Sequence, residues 1–369
     1  MTTVAILGAG AMGSALATPA VAAGNRVRLW GTWRDDDLLA ELRAGRPHPR
    51  TGVPVDPRVE LHDAGGLAAA LDGADLVAVA ISSEGVLEVA RRAAATGLEQ
   101  GTPLLLCTKG FGRRPDGRVG LLPPLVTAAL GDRVGPGCPV VAVGGPCKAN
   151  EVAAGRPTAA VFAGDDRAVV ERCADALGTA AYRVERSRDL AGVEAAAAAK
   201  NVYAIAVGLC HGLTEAGGEP WHDLAAATFT QAVAEMRRLA AALGGREETV
   251  LGLAGLGDLE VTSLSGRNRV FGARVGRGEP PGQALAAMAA AGQTVEGVPA
   301  ARLALELAAR LDVGRPEDGP GGPGPDPNRP DPAPAAGPAV ALPLLAAVNR
   351  ILDGAPDPAA ELAAAVLPG

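Results

Sequence analysis

The distribution of apolar and polar residues changes near residue 190. Before it, short apolar runs alternate with segments of helical periodicity, such as Ser14–Ala23 and Val86–Ala95. Strands that alternate with helices indicate βαβ units, so we predict an α/β domain with a parallel-rich, doubly wound Rossmann sheet. The predicted strands are Val4–Leu7, Val27–Leu29, Leu76–Ala80, Leu104–Leu106, Val140–Val143, Ala159–Phe162 and Tyr182–Val184.

After residue 190 the pattern is helical, and no strand is predicted. The longest apolar stretch, Val193–Leu209, contains Glu194 and Lys200, which favours a buried helix over a membrane span. Residues 313–338 contain nine prolines and are predicted to be a flexible insertion. The predicted helices are 190–213, 222–243, 283–291, 299–311, 340–352 and 358–366.

Composition narrows the class of protein. A chain of 369 residues is long enough for two domains at about 150 residues each. Its net charge of -7 and its lack of basic runs argue against nucleic acid or an anionic membrane as a partner. The five cysteines have neither C-x-x-C nor zinc-site spacing, and the N-terminus has no basic signal-peptide region. We therefore expect a cytoplasmic protein with reduced thiols and no metal site.

Lysine is scarce in this chain, and its positions are informative. There are three lysines against 31 arginines. Arginine does not release its proton, whereas a buried lysine can shift its pKa and exchange protons. Lys109, Lys148 and Lys200 are therefore candidates for chemistry.

A glycine-rich turn follows the first predicted strand. Residues 4–13 read VAILGAGAMG, so Gly8, Gly10 and Gly13 fit the G-x-G-x-x-G pattern between a strand and a helix. In that pattern the glycines allow a tight turn, close approach of a pyrophosphate and close packing of helix on strand. We predict a dinucleotide site here.

The end of the second strand bears on the choice of dinucleotide. An acidic residue there would select NAD, but the chain reads Leu29-Trp30-Gly31-Thr32-Trp33-Arg34. Arg34 is either a contact for the 2′-phosphate of NADP or a solvated loop charge. NAD and NADP both remain open.

Two lysines occupy positions that suit a reaction site. Lys109 follows the strand Leu104–Leu106, at the sheet edge where α/β proteins bind ligands. Lys200 lies in an apolar helical segment, where a charge needs a partner or a lowered pKa, and is a candidate general acid. Asn201 follows it and is a candidate anchor for a ligand or cofactor amide.

The segment 252–272, GLAGLGDLEVTSLSGRNRVFG, contains a further polar set. Asp258 would pair with a lysine ammonium, while Thr262, Arg267 and Asn268 would bind a small phosphorylated anion. A helix-capping aspartate and a pair of surface arginines are the structural alternatives.

These motifs together resemble the NAD(P)-dependent glycerol-3-phosphate dehydrogenase family. The resemblance covers almost all of residues 1–311 in family order. The elements that carry it are GAGAMG (8–13), LWG (29–31), TKG (108–110), GGP with EVAAG (151–155), AKNVYAIAVGL (199–209), AEM (234–236), GLAGLGDLEVTS (252–263), GRNRVFG (266–272) and VEG (295–297).

The resemblance implies a Rossmann domain over 1–187 and an all-helical substrate domain over 188–369, with a cleft between them. It implies that dihydroxyacetone phosphate and sn-glycerol 3-phosphate are interconverted by hydride transfer with NAD(P)H, which supplies glycerol 3-phosphate for phospholipid synthesis. The implied catalytic residues are Lys200, Lys109 and Asp258. The implied substrate-binding residues are Lys109, Thr262, Arg267 and Asn268. The implied cofactor-binding residues are Gly8, Gly10, Ala11, Met12, Gly13, Trp30, Arg34, Asn201 and Glu296.

The chain departs from the family pattern at the rim of this cleft. Cys147 and Lys148 replace a Ser or Thr followed by an aromatic residue, Gln231 replaces an arginine, and EAGGEPWHDL (215–224) replaces a Gly-Asp-Asn-like stretch. Lys148 is either an extra phosphate contact or a solvated loop residue. A related dehydrogenase for another hydroxy acid or polyol phosphate, and a non-catalytic dinucleotide-binding protein, remain alternatives. A homodimer is the possible assembly.

Overall fold

Eight strands from the first 187 residues form one sheet in this computed structural model, which describes residues 1–311 and 340–367. The predicted insertion at 313–338 lies outside these residues. Two more strands form a separate hairpin, so this half has ten strands in all. In chain order they are β1 Thr3–Leu7, β2 Arg26–Trp30, β3 Glu60–His62, β4 Leu76–Val79, β5 Leu104–Leu106, β6 Phe111–Arg113, β7 Val119–Leu121, β8 Val140–Gly144, β9 Thr158–Ala163 and β10 Tyr182–Ser187, of which β6 and β7 form the hairpin.

The strand order is β10-β9-β8-β5-β4-β1-β2-β3, and every pair is parallel except β8 with β9. The order reverses on either side of β1, which places a topological switch point between β1 and β4. The predicted parallel-rich, doubly wound sheet is confirmed, with one antiparallel pairing that the pattern did not indicate.

Helices cover both faces of the sheet because its strands are apolar on both sides. Along β1, Val4 and Ile6 belong to one buried cluster, while Ala5 and Leu7 belong to another. Successive side chains of a strand point to opposite faces, so a continuously apolar strand needs cover on each. The helices of this half are α1 Ala11–Ala22, α2 Asp36–Arg43, α3 Leu67–Leu71, α4 Val86–Thr96, α5 Leu122–Val134, α6 Ala149–Ala153 and α7 Arg167–Leu177.

Three strands were missing from the sequence prediction. The edge strand β3 has three residues, and β6 and β7 form a separate antiparallel hairpin. Each is too short to show alternation, and Arg113 and Gly120 lie within the hairpin strands. Their pairing depends on tertiary contacts rather than on local pattern.

Within the described part of the chain, everything after Ser187 is helix, turn or loop, as the pattern predicted. A π-helical turn, Leu253–Gly257, leads directly into one of these helices. The helices are α8 Leu190–Gly217, α9 His222–Ala242, α10 Glu247–Leu251, α11 Asp258–Ser265, α12 Arg267–Gly276, α13 Pro281–Ala290, α14 Gly297–Leu311, α15 Pro343–Leu352 and α16 Pro358–Val366.

Helix α8 is the central helix of this half. It is long and apolar enough to cross a membrane, but its apolar window is completely covered by the rest of the protein. Its packing on α12 depends on glycines: a Cβ on Gly208 would lie 2.3 Å from the Arg269 carbonyl oxygen, and one on Gly272 would lie 2.1 Å from that of Ile205. This close approach brings the N-terminal end of α12 beside Lys200 and Asn201, and the prediction of a buried helix is confirmed.

Candidate active site

The glycine turn between β1 and α1 forms an open cradle at the switch point. Gly8 has a φ of +110°, and a Cβ there would lie 2.6 Å from the Ala80 carbonyl oxygen. A Cβ on Gly13 would lie 1.8 Å from the Gly8 carbonyl oxygen, whereas one on Gly10 would meet no atom within 4 Å. Gly10 precedes α1 and provides no side-chain cap, so the first amides of the helix, at Ala11 and Met12, face this space. A dinucleotide pyrophosphate fits this cradle.

Two further groups support the glycine turn. The ring Nε2 of the buried His48 lies 3.3 Å from the Ala9 carbonyl oxygen, and the Ser14 hydroxyl donates to that same oxygen at 2.8 Å. The Trp30 carbonyl accepts the Gly8 amide hydrogen at 2.8 Å. The Trp30 indole is buried and donates to the Ala64 carbonyl oxygen at 3.3 Å, and a contact of Trp30 with the cofactor stays a prediction.

Lys109 lies on the other side of the loop that Gly8 contacts. The Thr108 hydroxyl donates to the Ile81 carbonyl oxygen at 2.7 Å, and a Cβ on Gly110 would lie 3.2 Å from the Ser83 Cβ. The loop after β4 thus separates the glycine turn from the Lys109 turn. Both turns lie at the carboxyl ends of parallel strands, as the sequence predicted for the ligand site.

Helix α11 presents the carboxylate at the centre of the site. The Asp258 side chain is buried, and its two oxygens accept hydrogen bonds from two lysines. Lys109 Nζ lies 2.5 Å from Oδ2, and Lys200 Nζ contacts Oδ1. Lys200 Nζ also donates to the Thr262 hydroxyl at 3.0 Å. The predicted pairing of Asp258 with a lysine is therefore observed, with a second lysine on the same carboxylate.

The two lysines differ in proton affinity. Burial lowers the pKa of Lys200 to about 8; the Asp258 carboxylate opposes this shift, while the positive charge of Lys109 adds to it. Burial also acts on Lys109, but the Asp258 carboxylate outweighs it, and the pKa of Lys109 is raised. Lys200 is thus the lysine that can exchange a proton near neutral pH.

Asn201 and Asn268 form a buried pair beside Lys200. Asn268 Nδ2 donates to Asn201 Oδ1 at 3.0 Å, and Asn268 Oδ1 accepts the Gly297 amide hydrogen at 2.9 Å. These bonds join α8, α12 and the start of α14, and leave one amide hydrogen of Asn268 for another partner. A contact of Asn268 with phosphate stays a prediction.

Arg267 and Glu296 lie next to this pair on the exposed side. Arg267 is the first residue of α12, its side chain is 43% exposed, and its Nη2 lies 3.9 Å from Glu296 Oε1. Glu296 is close enough to Lys200 to favour its charged form. Of the predicted substrate and cofactor residues of this half, Thr262 contacts Lys200 directly and Glu296 lies near it.

Arg34 lies apart from that set. It is exposed on the turn after β2, where Asp35 Oδ2 accepts the Thr32 amide and hydroxyl hydrogens, both at 2.8 Å. Asp35 is therefore engaged by its own turn, and the Arg34 guanidinium extends from it. The part of Arg34 in cofactor choice stays a prediction.

Glu194 is an ionisable residue near this site to which the sequence analysis gave no role. It is fully buried in α8, and neither carboxylate oxygen has a hydrogen-bond partner among the residues described. Burial raises its pKa to about 8, with Lys109 and the Gly110 amide as the nearest groups that oppose the shift. Like Lys200, Glu194 is an ionisable side chain in an apolar helical segment, and this is the signal in the sequence by which it could be found.

The cysteines near Lys109 remain protonated. Burial raises the pKa of Cys107 to about 12 and that of Cys147 to about 11, and the positive charge of Lys109 only partly opposes both shifts. A thiol that stays neutral is a weak nucleophile. Both side chains act as small packing groups here.

Family models match both halves of the chain. Residues 3–170 match the NAD-dependent glycerol-3-phosphate dehydrogenase N-terminus, and residues 189–317 match the C-terminus of the same family. The chain belongs to the NAD-dependent glycerol-3-phosphate dehydrogenase family. The resemblance seen in the sequence motifs is thereby confirmed.

Individual relatives agree with this assignment. The chain is 41% identical over 281 residues to glycerol-3-phosphate dehydrogenase [NAD(P)+] of Chelativorans sp. (strain BNC1), covering 75% of this chain and 80% of the relative. It is 35% identical to the NADP(+)-dependent glycerol-3-phosphate dehydrogenase of Archaeoglobus fulgidus, covering 84% and 90%. A crystal structure of glycerol-3-phosphate dehydrogenase from Coxiella burnetii superposes with a TM-score of 0.80 at 29% identity, covering 100% of this chain and 99% of that one.

Proposed function

We propose that the chain is an NAD(P)-dependent glycerol-3-phosphate dehydrogenase that interconverts dihydroxyacetone phosphate and sn-glycerol 3-phosphate. The observation that carries this proposal is the buried Asp258 carboxylate shared by Lys109 and Lys200, at the edge of the sheet that bears the glycine cradle. When bound, the reduced dinucleotide supplies the hydride for the carbonyl carbon. The residues of the chain supply orientation, charge and a proton.

Lys200 acts as the general acid in the reduction. An ammonium group has three hydrogens to donate, and Asp258 and Thr262 take two of those on Lys200. The third is available to the carbonyl oxygen of the substrate. As that oxygen gains negative charge, Lys200 transfers its proton to it and becomes a neutral amine, which solvent then reprotonates.

Lys109 and Asp258 hold Lys200 in place and set its charge. Lys109 keeps its proton because the carboxylate beside it raises its pKa. Its positive charge stabilises the developing oxyanion, while the negative charge of Asp258 keeps Lys200 largely protonated at pH 7. In the reverse direction the neutral amine of Lys200 accepts the alcohol proton, so oxidation is favoured above pH 8.

Arg267 is the proposed anchor for the substrate phosphate. Its guanidinium is accessible, stands at the start of α12 and lies 3.9 Å from Glu296, which is itself close to Lys200. A planar guanidinium binds phosphate with two parallel hydrogen bonds. This anchor contributes binding energy that orients the carbonyl toward Lys200.

Steady-state turnover of dihydroxyacetone phosphate with NADH and with NADPH tests the proposal. We expect turnover with at least one cofactor and poor turnover of unphosphorylated dihydroxyacetone. Arg267→Ala should raise KM for dihydroxyacetone phosphate at least ~10-fold, since hydrogen bonds to charged groups contribute about 1.5–3 kcal/mol each. Efficient reduction of the unphosphorylated ketone, with a silent Arg267→Ala, would point to another substrate.

The cellular setting follows from the same proposal. The product in the reducing direction is a glycerol phosphate that phospholipid synthesis consumes. Cytoplasmic location, a homodimer and the absence of nucleic-acid or membrane partners are proposed with it. The absence of nucleic-acid and anionic-membrane partners rests on the acidic balance of the sequence and on its lack of basic runs.

A further inference from the structure

All three lysines of the chain donate to one helix. The positions involved on α11 are Asp258, Thr262 and Ser265, whose spacing of four and three residues places them on one helical face. Lys109 and Lys200 bind Asp258, and Lys200 also binds Thr262. Lys148 Nζ donates to the Ser265 hydroxyl at 2.7 Å.

Lys148 reaches this face from the other half of the molecule. It immediately precedes α6, in the loop after β8, while Ser265 is the last residue of α11. The bond therefore links residues 117 positions apart and crosses from the sheet domain to the helical one. It brings a positive charge to the residue two positions before Arg267.

Lys148 differs from the other two lysines in that no carboxylate balances its positive charge among the described residues. Lys109 and Lys200 share the Asp258 carboxylate, whereas no carboxylate of the described residues is paired with Lys148. Its observed partner, Ser265, is a neutral hydroxyl. An uncompensated ammonium at an accessible site retains its affinity for an anion.

The spacing along α11 matches the shape of the proposed substrate. Thr262, which contacts Lys200, and Ser265, which contacts Lys148, are separated by three residues, a rise of roughly 4.5 Å along the axis. In dihydroxyacetone phosphate, one methylene and one ester oxygen separate the carbonyl carbon from phosphorus. A carbonyl at Lys200 thus leaves the phosphate near Lys148 and Arg267.

We propose that Lys148 is a second cation for the substrate phosphate, contributed by the sheet domain opposite Arg267, and that it determines specificity for the phosphorylated ketone. This proposal rests on the proposed function, because it assumes a ketone phosphate in the same cleft. Two cations match the dianionic charge of a phosphate monoester. Because they come from different domains, the phosphate also joins the two walls of the cleft.

Lys148→Met is the variant that tests this proposal, with Lys148→Arg as the charge-conserving variant. In Lys148→Met, KM for dihydroxyacetone phosphate should rise about 10-fold, as for loss of one charge-assisted hydrogen bond. The preference for the phosphorylated ketone, measured as the ratio of kcat/KM values for dihydroxyacetone phosphate and dihydroxyacetone, should fall by a similar factor. Lys148→Arg should retain most of that preference.

Arg91→Met is the matched control, because it removes one positive charge from the exposed surface of α4. It should change neither KM for dihydroxyacetone phosphate nor the ratio of kcat/KM values for the two ketones. An unchanged KM for dihydroxyacetone phosphate in Lys148→Met would overturn the proposal. An equal loss of kcat/KM with both ketones would overturn it as well, because it would mean that the bond from Lys148 to Ser265 only holds the structure together. A weaker affinity for NADPH with an unchanged KM for the ketone phosphate would assign Lys148 to the cofactor and overturn it as well.

Inorganic phosphate separates this proposal from the proposed function. Calorimetry of the protein with phosphate should give an affinity that Lys148→Met and Arg267→Ala each weaken and Arg91→Met does not. If the parent protein fails to reduce dihydroxyacetone phosphate, the proposed function fails while this binding difference still stands. If phosphate binds the parent and Lys148→Met equally, the inference fails whatever the turnover.

Discussion

Asp258 and Glu235 are both buried carboxylates of the helical half, and their partners differ in kind. Asp258 is 1% exposed and accepts hydrogen bonds from two ammonium groups. Glu235 is 0% exposed, and its donors among the described residues are all neutral: the Tyr203 hydroxyl, the Gln231 amide and the backbone amides of Leu344 and Leu345. The cost of burying a carboxylate is thus offset by ion pairs at Asp258 and by hydrogen bonds from neutral groups at Glu235.

The difference separates a reactive site from a structural one. Around Asp258 the two lysines outnumber the carboxylate, so positive charge is left for a substrate oxygen. Around Glu235 burial raises the pKa of the carboxyl, and its hydrogen bonds are directed at the first turn of α15. Glu235 therefore caps a helix and attaches the C-terminal segment to the core, while Asp258 positions the proton donor of the proposed mechanism.

Removing the ammonium of Lys200 should produce the largest effect, and it should be on catalysis. Lys200→Met keeps much of the buried volume and should lower kcat by roughly 10²–10⁴, the range for loss of a general acid. Lys200→Arg should be similarly impaired, because arginine retains its proton. Steady-state kinetics measures kcat, and fluorescence titration measures the affinity for the cofactor. Near-normal turnover in either variant would remove Lys200 from the mechanism.

Removing the carboxylate of Glu235 should instead affect stability. Glu235→Leu leaves several buried donors without an acceptor, and each unsatisfied group costs about 1–3 kcal/mol, so the free energy of unfolding should fall by at least ~3 kcal/mol. The kcat of the folded fraction should be retained. Gln231→Leu, which removes one donor, should cost only about 1 kcal/mol. Urea unfolding followed by circular dichroism checks both values. Loss of kcat with unchanged stability in Glu235→Leu would mean that Glu235 acts in catalysis and not in stability.

Glu194 extends the comparison to a buried carboxyl whose oxygens meet the geometric criteria for a hydrogen bond with none of the described residues. Its pKa is about 8 in the folded protein, so between its ordinary pKa of 4.5 and about 8 the folded chain holds a proton that the unfolded chain has lost. Stability should therefore fall as pH rises through this range, by up to about 1.4 kcal/mol per pH unit. Glu194→Gln should remove that contribution, measured by urea unfolding at several pH values. Identical slopes in both proteins would mean that Glu194 ionises normally.

The cluster of Asp258 with two lysines was easier to predict from the sequence than the contacts of Glu235. Lys200 stands out because a charge in an apolar helix needs a partner, and the glycine turn follows a strand directly. The function of Glu235 was not predictable, since it depends on α15, which is more than 100 residues further along the chain. The bond from Lys148 to Ser265 likewise depends on how the two domains pack.

The seven predicted strands are present, and the strands and the pairing direction that were missed share a similar physical reason. The buried central strands are apolar runs that can be identified from composition alone. The hairpin of β6 and β7 and the antiparallel pairing of β9 depend on which strand lies nearby, and neither leaves a periodic signal in a segment of three to six residues. Local pattern therefore predicts the apolar strands of the sheet, but neither the separate hairpin nor the direction in which β9 pairs.

The pH dependence of kcat/KM for reduction of dihydroxyacetone phosphate tests the central claim most directly, in the parent protein and in Asp258→Asn. The parent should lose activity as pH rises through about 8, where Lys200 loses its proton. Because the Asp258 carboxylate favours the charged form of Lys200, Asp258→Asn should move this loss to lower pH. If the midpoint is the same in both proteins, the shared carboxylate does not set the proton affinity of Lys200, and the account of this site is wrong.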